Sequence, residues 1–240
     1  MTENQDVDIA GNLNKVKQEI ITTARAAGRD PEQIKLVVVT KEKSANTVKR
    51  VVEAGVNKIG ESYVQEAVFK MDLLSDFDIE WHMIGTIQRG KVKHVAYRFD
   101  FLHSLDRYEI AKDLNEAARE NDRVLPVLLE CNVSGQKSKH GWPAWEEDRW
   151  DVLADDLAPV MEMKNLKIWG LMTMAPYFQD PERSRPIFRK LKQLQGYLSE
   201  RFEDHDLEEL SMGMSSDYHI AVQEGATILR IGSAIVGPRN

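Results

Sequence analysis

With 240 residues the chain has the length for one large domain or two small ones, and 42% hydrophobic beside 30% charged residues describes a folded protein rather than a disordered one. Its 32 Lys and Arg against 39 Asp and Glu give a formal net charge of −7, which disfavours nucleic acid as the main partner because duplex binding rests on a basic face. The single cysteine, Cys131, excludes an internal disulfide framework and fits a reducing compartment.

The first dozen residues carry no basic-then-apolar leader pattern. No run approaches the roughly 18 to 20 apolar residues of a membrane span, so the expectation is a cytoplasmic protein without membrane association. Ile9, Leu13, Val16, Ile20 and Ala24 recur at threes and fours and predict an amphipathic helix over 9–26. A β-branched run predicts a strand over 35–40; Ser44 caps the helix that follows and Gly55 ends it. Further strands are predicted over 58–61, 79–85, 101–105, 125–133, 166–174, 209–214 and 228–236. Helical stretches near 63–74, 91–98, 107–120, 146–163, 182–203 and 217–224 fall between them.

Several of these strands are apolar throughout, as both faces of a covered parallel sheet require. Eight β/α units in this length match a single (β/α)8 TIM-type barrel, with an open doubly wound sheet as the structural alternative. The last strand runs almost to the end with no final helix after it, and the extra N-terminal helix can fill that place in the outer ring. In such a barrel the chemistry belongs at the C-terminal ends of the strands.

Lys41 follows Val37 and Val39 at alternate positions, so a strand that points those valines inward points Lys41 inward at its end. Apolar walls and nearby Lys43 disfavour its charged form, and the neutral amine is the form that attacks an aldehyde. On position alone Lys41 also reads as a solvated strand-end lysine. In Leu210-Ser-Met-Gly-Met-Ser-Ser-Asp217, Ser215 or Ser216 offers a hydroxyl and helix N-terminal amides to an anion, or simply caps the helix. Gly213 there permits close backbone approach. Gly232 and Ser233 offer amides after the eighth strand, and barrels commonly hold phosphate at these last two loops. Arg230, inside an apolar strand, either pairs with a carboxylate or serves the site as a fixed cation.

Gly232 to Gly237 has the spacing of a nucleotide phosphate loop, but Pro238 and Arg239 stand where Lys and Ser or Thr are needed. The six histidines show no paired metal spacing, so no metal site is expected. Cys131 reads as a small core residue. Trp142, Trp145 and Trp150 read as a packing cluster, or as a partner surface.

Val38-Val-Thr-Lys41, Gly60-Glu-Ser-Tyr-Val-Gln-Glu66, Trp81-His-Met-Ile-Gly85, Gly170-Leu-Met172, Leu210-Ser-Met-Gly-Met-Ser215 and Leu229-Arg-Ile-Gly232 occur in order over residues 9–239. Together they resemble the pyridoxal-phosphate homeostasis protein family, which is itself similar to the N-terminal barrel of alanine racemase. The resemblance implies one domain over 1–240 that binds pyridoxal 5′-phosphate (PLP) as a covalent aldimine on Lys41. It also implies cofactor contacts from Ser62, Met214, Ser215, Gly232 and Ser233, with Arg230 near the pyridine nitrogen. The family usually carries Asn where Ser62 stands, which shortens one side chain beside the cofactor. Thr86 and the run Gln88-Arg-Gly-Lys91 differ from the usual Pro and Gln-x-Asn-Lys.

An arginine at the pyridine nitrogen weakens the ring as an electron sink, and racemisation further needs an acid–base group on the face opposite Lys41. The racemase takes that group from a separate C-terminal domain; here only a tyrosine such as Tyr63 or Tyr177 offers itself. The reading is therefore a PLP-holding protein without dedicated catalytic residues, monomeric, with PLP-dependent apoenzymes as recipients. An amino acid racemase and a Schiff-base barrel enzyme acting on a sugar phosphate are the alternatives.

Overall fold

In the computed structural model, which describes residues 7–238, the chain alternates strand and helix around a closed sheet. Helix α1 (Ile9–Ala26) opens it, capped by the Asp8 carboxylate, which accepts from Gly11 N at 2.9 Å. The units that follow are β1 (Lys35–Val39) with α2 (Ala45–Glu53), β2 (Lys58–Glu61) with α3 (Val64–Leu73), β3 (Glu80–Met83) with α4 (Val92–Arg98), and β4 (Phe101–Leu105) with α5 (Tyr108–Glu120). Then come β5 (Leu125–Asn132), a two-residue strand β6 (Trp142–Pro143) and α6 (Trp150–Met161). The chain finishes with β7 (Leu166–Met172) and α7 (Arg185–Arg201), β8 (Glu209–Ser211) and α8 (Tyr218–Gln223), and β9 (Ile228–Ile231) with a short α9 (Ser233–Val236).

Every strand pairing is parallel, in the order β4-β3-β2-β1-β9-β8-β7-β5, and a further pairing of β4 with β5 closes the ring at eight strands. The barrel holds, and the open sheet is excluded. Strand β6 stands outside the ring, paired among the described residues with β5 alone, and was not expected from the sequence. Ser44 caps α2 by accepting from Thr47 N, and Gly55 takes the left-handed conformation just beyond that helix (φ 88°).

One expectation is corrected at the eighth barrel strand. The run 228–236 is not a single strand: β9 stops at Ile231, and α9 follows it. Ile235 N and Val236 N both donate to Gly232 O, so the apolar run turns into a helical turn directly after Gly232. Helix α1 packs against α8, α9 and α2 and fills the ring between them.

Apolar side chains divide into a large cluster between sheet and helices and a small one inside the barrel, where Val37, Phe101, Leu128, Met172 and Ile228 arrive from five strands. Trp142 and Trp150 are buried and donate to Leu105 O and Ala144 O, both at 3.1 Å, so these two indoles pack the α6 flank; Trp145 is exposed. Cys131 is buried, and burial pushes its thiol above the ordinary range, as a core residue requires.

Candidate functional site

At the C-terminal ends of the strands a cavity of about 190 Å³ is walled by the ends of β1, β2 and β3 on one side and by the loops after β7, β8 and β9 on the other. Lys41, Ser62, Met214, Ser215, Arg230, Gly232 and Ser233 all line it. Ser216 is exposed and is not among the residues that line the cavity. Tyr63 and Tyr177 are 51% and 80% exposed, and neither lines the cavity.

Lys41 is half-buried at the turn after β1, between two tethered neighbours. Thr40 O accepts from Lys70 Nζ at 2.8 Å, and Glu42 N donates to Glu66 Oε1 at 2.7 Å. Lys70 itself joins Glu61 (2.7 Å) and Glu66 (2.6 Å), and Thr40 Oγ1 donates to Glu61 Oε1 at 2.6 Å. Both Lys70 and Glu61 are buried, so burial pushes the Glu61 carboxyl up while Lys70 and Thr40 draw it back. The network pins the backbone on both sides of Lys41 and allows Glu42 to sit at φ 62°, a conformation a non-glycine residue seldom takes.

On the opposite wall, Ser215 Oγ accepts from Ala234 N at 3.2 Å, joining the loop after β8 to the start of α9. The loop carrying Met214 and Ser215 is shaped by buried Asp217, whose carboxylate accepts from Met214 N at 2.7 Å. Gly213 holds φ 94°, and a Cβ there would stand 2.6 Å from Ala221 Cβ, so neither the turn nor the packing admits a side chain.

Arg230 rises from β9, 3% exposed, and donates from Nη1 to Ser211 Oγ at 2.5 Å and from Nη2 to Thr173 O at 2.9 Å. Among the described residues no carboxylate pairs with it, which removes the structural ion pair left open above. Burial lowers its guanidinium to about 10, against the pull of Glu130 and Asp217. Glu130, at the same end of the barrel, is buried with Oε2 unpartnered, and its carboxyl is raised to about 7 chiefly by burial. No group of three metal-ligating side chains occurs among the described residues.

Residues 12–240 match the model of the alanine racemase N-terminal domain. A pyridoxal phosphate homeostasis protein of Pseudomonas aeruginosa is 39% identical over 97% of this chain and 96% of its own. The chain belongs to the pyridoxal phosphate homeostasis protein family. PipY of Synechococcus elongatus, solved with PLP bound, superposes on it with a TM-score of 0.83 at 29% identity, covering 96% of this chain and all of that one. An alanine racemase of Clostridium difficile shares the fold, with a TM-score of 0.73 at 13% identity over 95% of this chain and 56% of its own.

The residues present suit the family's cofactor. A buried cation without a carboxylate partner faces the same cavity as a lysine and a hydroxyl joined to a backbone cradle. Four contributors escaped the sequence reading. Glu61, Glu66 and Lys70 lie in or just after the Gly60–Glu66 motif, and Asp217 ends the serine loop. The (i, i+4) spacing of Glu66 and Lys70 was a visible signal for their pairing; nothing local pointed either toward Lys41.

Proposed function

We propose that the protein binds PLP in this cavity and holds it, as part of intracellular control of a reactive aldehyde, without a dedicated catalytic cycle. The observation that carries the reading is the meeting of Lys41, Ser215 and Arg230 on one cavity at the catalytic end of a barrel. The family name and the PLP bound to PipY support it.

When bound, PLP supplies an aldehyde carbon that takes up a primary amine and a pyridine ring that can act as an electron sink. Lys41 Nζ, which lines the cavity, would be the primary amine that holds the aldehyde. Because Ser215 Oγ already accepts from Ala234, its own proton is left to donate to a phosphate oxygen. The backbone amides of Gly232 and Ser233 would serve the remaining phosphate oxygens. Ser62 and Met214, which also line the cavity, would lie beside the ring.

Arg230, held by Ser211 and Thr173, would face the pyridine nitrogen and disfavour its protonation, since two positive charges would then meet in a dry site. That arrangement speaks against transamination and decarboxylation. Neither tyrosine considered for the face opposite Lys41 reaches the cavity, which speaks against racemisation. On this reading residues 1–240 form one PLP-binding domain, monomeric and cytoplasmic, that passes PLP to PLP-dependent apoenzymes.

Adding PLP to the purified protein tests the assignment. A visible absorbance band and a matching mass increment after borohydride reduction are expected, and both should vanish in Lys41→Ala. A wild-type protein that stays colourless with excess PLP overturns the reading.

A further inference from the structure

Beneath Arg230 a line of buried polar side chains runs down the inside of the barrel to its opposite end. Arg230 Nη1 donates to Ser211 Oγ at 2.5 Å, and Ser211 Oγ lies 2.8 Å from His103 Nδ1. His103 Nε2 lies 2.8 Å from His82 Nδ1, and His82 Nε2 stands 3.0 Å from Glu80 Oε1. Glu80 then pairs with Lys58 near the N-terminal ends of the strands. Ser211 and His103 sit on β8 and β4, which are not neighbours in the ring, so their contact crosses the barrel lumen. Ser211, His103 and His82 are at most 2% exposed.

The two ends of the line fix its direction. A guanidinium can only donate. At the other end Glu80 is ionised at neutral pH, its carboxyl held down to about 2 first by His82 and also by Lys58. The Glu80–His82 contact is close without being aligned as a full hydrogen bond. Even so, a ring lone pair facing a carboxylate is repelled and an N–H is attracted. Burial holds both imidazoles neutral, so each carries one N–H. His82 then bears its proton on Nε2 and accepts at Nδ1; His103 donates from Nε2 and accepts at Nδ1; the Ser211 hydroxyl donates to His103 and accepts from Arg230. This arrangement satisfies every contact with one direction of donation. The opposite tautomers would set a lone pair of His82 against Glu80 and leave the Ser211 hydroxyl proton unused.

We propose that Ser211, His103 and His82 are positioning residues that act on the cofactor site through Arg230. In a one-way hydrogen-bond chain with both histidines as Nε2–H tautomers, they anchor the guanidinium to Glu80 at the far end of the barrel and set which of its N–H groups face the cavity. The consequence for the cofactor rests on the PLP reading above, whereas the chain itself does not.

Two measurements separate the two. In the PLP-free wild-type protein at pH 7, nitrogen-15 NMR of the histidine side chains should show His82 and His103 neutral, protonated at Nε2 and bare at Nδ1. An Nδ1–H tautomer or a doubly protonated ring at either position overturns the chain, whether or not PLP binds. The second is the PLP dissociation constant of two variants. His103→Gln keeps an acceptor and a donor for the same direction of bonding and should stay within a few-fold of wild type; His103→Phe keeps bulk alone and should bind PLP roughly tenfold more weakly, about the worth of one buried hydrogen bond. Equal affinities for the Gln and Phe variants would mean that His103 only fills space, and would overturn its positioning role.

Discussion

Lys70 shows how much a single buried charge can hold together. It satisfies Glu61, Glu66 and the Thr40 carbonyl together, and its side chain is only 3% exposed. Lys70→Met leaves the Glu61 carboxylate buried without a counter-charge and should cost about 3–5 kcal/mol in urea unfolding. Adding Glu61→Gln to that variant should recover much of the loss, since the pair is then removed as a unit. Glu130 gives a pH signature. Its carboxyl is raised to about 7 in the folded chain from an ordinary value of 4.5, so the folded state binds the extra proton between those values. Stability from this group is therefore full below about 4.5 and falls as pH rises through about 7. Glu130→Gln should flatten that part of the stability profile of the PLP-free protein and raise its stability at pH 8 by roughly 2–4 kcal/mol, read by denaturant unfolding at several pH values. Lys41 was legible in the sequence because its alternation with Val37 and Val39 suggested an inward strand-end lysine and the motifs around it singled it out. The partners of Arg230 were not, because Ser211 and Thr173 lie 19 and 57 residues away and only the closed ring brings them together.

Among the elements, α1 carries a burden that its amphipathic pattern announced. Ile9, Leu13, Val16, Ile20 and Ala24, the residues picked out by their spacing, are the ones it buries. Leu13 is 1% exposed in the seam with the neighbouring helices, so Leu13→Ala should cost about 2–5 kcal/mol by transfer and cavity formation, measured as a lowered urea midpoint with an unchanged slope. The β/α alternation was readable for the same reason: long stretches have one period each, and their caps sit at Ser44 and Gly55. The pattern failed where elements are short. Ala234, Ile235 and Val236 are apolar and partly β-branched, and periodicity cannot separate a four-residue helical turn from a strand end. Strand β6 has two residues, too few to show any alternation.

Over the whole molecule, closure of the ring rests on contacts far apart in sequence, and this extends to the first and last described segments. Arg50 donates to Val7 O at 2.7 Å, Asn12 donates to Ile235 O at 3.2 Å, and a Cβ placed on Gly237 would lie 3.1 Å from Val7 Cγ2. Val7 and Gly237 are thus neighbours in space, on the flank where α1 covers α8 and α9. The order in which the chain visits the eight strands is then separable from the shape they make. A circular permutant that joins the two ends through a short flexible linker and opens at the exposed turn around Asp122, between α5 and β5, should fold to the same barrel and titrate with PLP as the parent does. Far-ultraviolet circular dichroism and a PLP titration would check it, and a permutant that stays unfolded would mean that α1 must form before the rest of the ring can close.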